Sequence, residues 1–113
     1  MKEVKLKFHH IGIPTQEPRE GEVHYPDKKL FYCSYENNEY RIEWLRHEAD
    51  ADVPELIRTV AHVAYEVDDI HEAVKGKKIL IPPVEFGCMM IAFIEENGAP
   101  IEFIQEVKKD ERD

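Results

Sequence analysis

Ala61-His62-Val63-Ala64-Tyr65-Glu66-Val67-Asp68-Asp69-Ile70 places a strand, a helix start and a candidate metal ligand side by side. Val63, Tyr65 and Val67 alternate with His62, Ala64 and Glu66, the period of a half-buried strand with one apolar face and one mixed face. Asp69 stands three residues before Glu72, the spacing of a capping box, and Ile70, Ala73 and Val74 form the apolar stripe of a helix over 69–75. Gly76 sits where a left-handed terminator belongs. His62 therefore opens a strand on its less apolar face.

Upstream, residues 4–13 alternate and stop at Pro14, which predicts a first strand with Leu6, Phe8 and His10 on one face and His9, Ile11 and Ile13 on the other. Residues 15–27 hold Pro18, Gly21 and Pro26 without a helical stripe, and read as an irregular connection. Residues 30–35 and 40–46 are aromatic and branched runs on either side of Glu36-Asn37-Asn38-Glu39, a hairpin with Glu43 in its second strand. An acidic linker follows, with one helical turn after Pro54. Downstream of the helix, residues 79–81 predict a short strand stopped by Pro82-Pro83, and residues 88–94 a longer one. Asn97-Gly98 supplies the positive φ angles of a tight turn into a last strand over 101–107. The charged residues 108–113 read as a fraying tail.

At 113 residues with 42% hydrophobic content, the chain predicts one domain, 1–113, around one modest core. Its 24 acidic residues against 15 basic ones give a net charge of −9, which repels a phosphate backbone, and no long basic cluster offsets it. Nucleic acid is excluded as a partner on that ground. No long apolar run suggests a membrane span, and Met1-Lys2-Glu3-Val4-Lys5 lacks the apolar centre of a signal peptide, so the expected setting is cytoplasmic. Cys33 and Cys88 lie in apolar runs and predict buried reduced thiols.

The two halves repeat. Ile42-Glu43-Trp44-Leu45 aligns with Ile101-Glu102-Phe103-Ile104, Glu102 standing 59 residues after Glu43, while His62 stands 52 residues after His10. Each half thus carries one histidine on its first strand and one glutamate on its last, and halves of this kind bury a shared face by stacking. His9-His10-Ile11-Gly12-Ile13, Ile42-Glu43-Trp44-Leu45, His62 to Asp69 and Ile101-Glu102-Phe103-Ile104 together resemble the vicinal oxygen chelate superfamily, the glyoxalase, bleomycin-resistance and dioxygenase group. The resemblance implies an α+β fold of two βαβββ modules whose curved mixed sheet encloses a metal-centred cavity. Module 1 falls at about 4–47, with its helix shortened or missing, the linker at 48–60 and module 2 at about 61–107.

Carried onto this chain, the resemblance places metal ligands at His10, Glu43, His62 and Glu102. Two imidazoles and two carboxylates suit one divalent ion such as zinc, nickel, cobalt, manganese or iron, with positions left for water or a small-molecule substrate. The ring-cleaving and fosfomycin-resistance members use three protein ligands, so the fourth, Glu43, points to the glyoxalase branch: a lyase of the lactoylglutathione lyase kind, or an epimerase, transferring a proton next to a carbonyl. A metal-free binding protein of the bleomycin-resistance type and a non-haem dioxygenase stay open as alternatives. Within the glyoxalase reading the catalytic carboxylates are Glu102 and Glu43. Glu102 is the expected base, because apolar Ile101 and Phe103 flank it and desolvation raises basicity, whereas Arg41 is expected to hold Glu43 as an ion. His9, His47 and His71 are expected at the surface, His24 beside Tyr25 is expected to be a solvated loop residue with a place in the cavity lining as the alternative, and Met89, Met90, Phe93 and Trp44 are expected in the core or cavity wall.

Ile11 and Ile13 should face outward where module 1 lacks its helix, so that face needs a cover: Leu56 and Ile57 of the linker, or a second copy of the chain. We expect a homodimer by light scattering at micromolar concentration; a monomer there would contradict it.

Overall fold

The structure, a computed structural model, describes residues 4–107; the tail expected to fray over 108–113 lies outside the described residues. Eight strands, β1 (Lys7–Pro14), β2 (Val23–Tyr25), β3 (Leu30–Cys33), β4 (Ile42–His47), β5 (His62–Glu66), β6 (Lys78–Phe86), β7 (Met89–Glu96) and β8 (Ala99–Glu106), accompany two short helices, α1 (Glu55–Thr59) and α2 (Ile70–Ala73). The strands form one sheet in the order β2-β3-β4-β1-β5-β8-β7-β6. β1 and β5 pair antiparallel at its centre, β4 runs parallel to β1 and β8 parallel to β5. Outward from the β1–β5 seam the order is therefore the same in both directions. The sheet curls into a half-barrel, an α+β arrangement with few helices.

Local chemistry explains the second half well. Asp69 Oδ1 accepts from the backbone N–H groups of His71 and Glu72 at 3.0 and 3.3 Å, starting α2. Glu72 does not reach back as a capping box would; its carboxylate goes to Lys75 at 2.9 Å instead. Ile70, Ala73 and Val74 pack against Val67, Ala92, Ile94 and Phe103, so α2 seals the outer sheet face there. Asn97 at φ 51° and Gly98 at φ 88° turn β7 into β8, with Glu96 opposite Ala99.

Four expectations need correction. β6 does not stop at Pro82-Pro83 but runs through them, because it is an edge strand whose register with β7 shifts between Ile79 and Ile81 and between Ile81 and Val84; proline's missing donor is tolerated there. β2 was not expected: three residues on the opposite edge are too few to show a period. Cys33 is buried, but Cys88 is exposed beside Gly87 in the β6–β7 turn. Ile57 of the linker does not cover Ile11, since it packs with Ala64, Ile91, Phe93 and Ile104 on the cavity side.

No helix forms over residues 15–22, as expected. That segment shields the outer face of the first half instead, with Arg19 stacked 4.0 Å from the centroid of Trp44 and Glu22 paired with Arg46 at 2.7 Å. Trp44 therefore lies outside, alongside its register partner Ile13, rather than in the cavity wall. Leu6, Phe8 and Ile11 remain exposed.

The seam depends on Gly12, which sits opposite His62. A Cβ at Gly12 would overlap the His62 ring, coming within 2.9 Å of Nδ1 and closer to two other ring atoms. Gly12→Ala should therefore destabilise the fold by about 1–3 kcal/mol through overpacking, read as a lower urea midpoint. An unchanged midpoint would contradict the close approach.

Candidate metal centre

The four residues singled out by the repeat lie on the four central strands, β4-β1-β5-β8, and all face one cavity. Register explains how they fit. One row across the sheet runs Glu43, Gly12, His62, and the next runs His10, Ala64, Glu102. In each row a large polar side chain stands on either side of a residue with little or no side chain. The space above Gly12 and Ala64 is where the imidazoles and carboxylates meet.

His62 Nε2 lies 3.0 Å from Glu102 Oε1, and His10 Nε2 lies 3.5 Å from both Glu102 Oε1 and Glu43 Oε1. Ligand atoms of His10, His62 and Glu102 all fall within 4.8 Å of one another, and all three residues are buried. Glu43 stands at the side of this group, within reach of His10. Phe93 meets the His62 ring edge-on at 5.0 Å, and Tyr35 stacks on His10 at 5.0 Å with ring planes 7° apart. Both nitrogens of His62 are buried with no hydrogen-bond partner among the described residues, although Glu102 Oε1 lies 3.0 Å from Nε2. A buried imidazole in that condition is costly unless its lone pair meets a Lewis acid. The donor set fits a divalent metal ion held by His10, His62 and Glu102, with Glu43 beside it.

The two carboxylates are electrostatically unequal, in the reverse of the expected order. Burial, reinforced by the Glu102 charge and opposed by His62, pushes Glu43 up to about 7. Burial also acts to raise Glu102, but the close imidazoles of His10 and His62 outweigh it and hold Glu102 below the usual carboxylate range. Arg41 does not hold Glu43 as an ion. Its guanidinium lies 4.6 Å from the Tyr35 ring centroid and donates to the His9 carbonyl oxygen.

The cavity occupies about 720 Å³. Ile81, Phe86, Met89, Ile91, Phe93 and Ile104 make one apolar wall, while Lys28, Asp27, Asp50 and Asp52 bring charge to the other side. Tyr25 meets Phe86 edge-on at 5.2 Å, so the two outermost strands touch across the half-barrel. His24 stands apart from the lining, bonded to Glu48 at 2.8 Å and stacked on Phe31. Met90 packs on the outer side with α2 rather than on the cavity wall.

His71 is exposed as expected, but His9 and His47 are not surface residues. His47 is half-buried and lines the cavity; burial, then Arg58 and His62, lowers its pKa. His9 is buried because the register slips between Phe8 and His10, turning two consecutive histidines inward. Burial, followed by His10 and Arg41, lowers its pKa as well. The only sequence signal for His9 was the doubled histidine, which strict alternation assigned to opposite faces.

Because the Glu43 carboxyl titrates near 7 when folded against 4.5 ordinarily, it binds more protons in the folded chain between those values. Its contribution to stability is present below about pH 4.5 and is lost as pH rises through about 7. Metal-free Glu43→Gln should therefore melt above the wild type at about pH 8, with the gap narrowing toward pH 5. Thermal denaturation in chelator at the two pH values checks this, and a gap that widens toward pH 5 would contradict it.

No protein-family model and no curated protein matches the sequence. Among solved structures, the chain is similar to a hypothetical protein, BH1468, from Bacillus halodurans C-125, with a TM-score of 0.66 at 20% identity over 96% of this chain and 98% of that one. This likeness concerns the fold: a curled mixed sheet compatible with a bleomycin-resistance or glyoxalase-like fold.

Proposed function

We propose that the chain is a glyoxalase-like lyase or isomerase of two βαβββ-type modules, binding one divalent metal ion through His10, His62, Glu102 and Glu43. The carrying observation is the His62 ring, buried with neither nitrogen hydrogen-bonded and Nε2 converging with His10 and Glu102. Its substrate is a small molecule with two adjacent oxygens and an acidic C–H beside a carbonyl. When bound, the ion would supply Lewis-acid polarisation of those oxygens.

The chain's own residues supply the rest. His10, His62 and Glu102 form the fixed part of the site, since Glu102 is within 3.5 Å of both imidazoles. Glu43 approaches only His10 among these and is the less confined carboxylate, so it is the better placed to take a proton from substrate carbon and return it. The sequence favoured Glu102 in that role; the geometry favours Glu43. The apolar wall from β6 and β7 excludes water from the reacting carbon. The exposed Leu6, Phe8 and Ile11 support the homodimer as part of the same proposal.

A second reading also has a specific observation in its favour. Two histidines and one glutamate with open positions is the ligand set of non-haem iron oxygenases, and the compact group here has that composition. Metal content and reaction type separate the two.

Metal analysis after loading with zinc, nickel, cobalt, manganese or iron should find one ion per chain. The loaded protein should exchange solvent deuterium into the carbon next to the carbonyl of small 2-hydroxy ketones. Glu43→Gln should keep most of the metal affinity while slowing exchange by about 10²–10⁴-fold, the usual worth of a positioned general base. His62→Ala should lose the metal. Oxygen consumption with iron, without carbon–hydrogen exchange, would move the assignment to the oxygenase; failure to bind any of these ions would leave a metal-free binding pocket.

A further inference from the structure

We propose that His9 is a positioning residue that sets the tautomer of His10, an inference that rests on the metal reading of the site. His9 Nδ1 and His10 Nδ1 are 2.8 Å apart, a hydrogen-bonding distance between two atoms of which only one can carry the shared hydrogen. His10 Nε2 points to the other side of its ring, 3.5 Å from Glu43 and from Glu102. For His10 to bind a cation, Nε2 must offer a lone pair, so Nδ1 must bear the hydrogen and donate it. His9 Nδ1 is the acceptor, which requires His9 to carry its own hydrogen on Nε2.

The surroundings hold His9 for this task. The extra residue in β1 between its Phe8 and His10 pairings turns the His9 ring inward beside its neighbour instead of outward, as alternation would have it. Arg41 donates to the His9 carbonyl oxygen and fixes the bulged backbone. Tyr35 meets His9 edge-on at 4.7 Å while stacking on His10, so one ring restrains both imidazoles. Metal-ligating histidines generally donate their second ring N–H to an acceptor that fixes orientation; a carboxylate or carbonyl does this elsewhere, and here a neutral imidazole takes the place.

The second half handles its histidine differently. His62 Nδ1 has no hydrogen-bond partner among the described residues, and its ring is located by the gap above Gly12 and by Phe93. The two ligands are thus oriented by different means, one by packing and one by a hydrogen bond.

Zinc affinity, measured by competition with a chromophoric chelator on the purified chain, tests the role. His9→Phe keeps an aromatic ring but removes the acceptor and should weaken zinc binding about ten- to hundredfold. His9→Asn restores an acceptor near the Nδ1 position and should recover most of the loss. Equal zinc affinity in His9→Phe and the wild type would overturn the proposal while leaving the metal site intact. Equal weakening in His9→Phe and His9→Asn would overturn it in favour of plain packing. A wild type that binds neither zinc nor cobalt would overturn the metal reading and this inference together. A readout without any variant is ¹⁵N NMR of histidine rings in the zinc-loaded wild type: His10 protonated at Nδ1 and His9 at Nε2 is expected, and a proton on His9 Nδ1 would overturn the assignment.

Discussion

Crowding four ionisable side chains onto one sheet face is possible only because their strand neighbours are small. Gly12 separates Glu43 from His62, and Ala64 separates His10 from Glu102. A β-branched or aromatic residue at either place would fill the volume where the four groups converge. Those small residues lie on β1 and β5, the central strands, so the seam that joins the halves also leaves room for the site. Half-barrel closure then places an apolar wall over it, lowering the local dielectric and strengthening every charge interaction beneath.

The halves share a strand order but cover their faces by different means. In the second, the Asp69 cap and the Ile70 stripe build α2 against the outer face. In the first, the outer face is shielded by side chains of an irregular segment, Arg19 over Trp44 and Glu22 with Arg46. The other helix, α1, goes to the cavity side and adds Ile57 to the wall. A guanidinium over an indole covers less area than a helix, consistent with the exposure of Ile11 on the neighbouring strand.

Much of this was legible where the signal was local chemistry. The alternation of residues 62–67, the Asp69 cap and the Asn97-Gly98 turn each specify one backbone outcome, and each is observed. The pairing of Glu43 with Glu102 and of His10 with His62 was legible because the repeat preserves position, and all four residues reach one cavity. What escaped depends on partners that sequence does not display. The bulge that buries His9 is a register event between β1 and β5; β6 continues through two prolines because it is an edge; and the unequal carboxylates follow from Glu102 lying between two imidazoles while Arg41 turns away to His9 and Tyr35.

The candidate centre would also tie stability to occupancy. A chain that buries an imidazole with neither nitrogen hydrogen-bonded and a carboxylate displaced toward neutrality carries a cost, since both groups would be better solvated in the unfolded chain. An ion bound by the folded form alone would offset that cost and add stability that grows with the logarithm of its free concentration over the dissociation constant. The small residues beneath the site resist repair by repacking, because filling the space above Gly12 displaces His62. The unfavourable burial lies among the side chains of the candidate site, while the outer face under α2 is packed around the fully buried Ile70. One face thus holds the fold together while the other carries the candidate site.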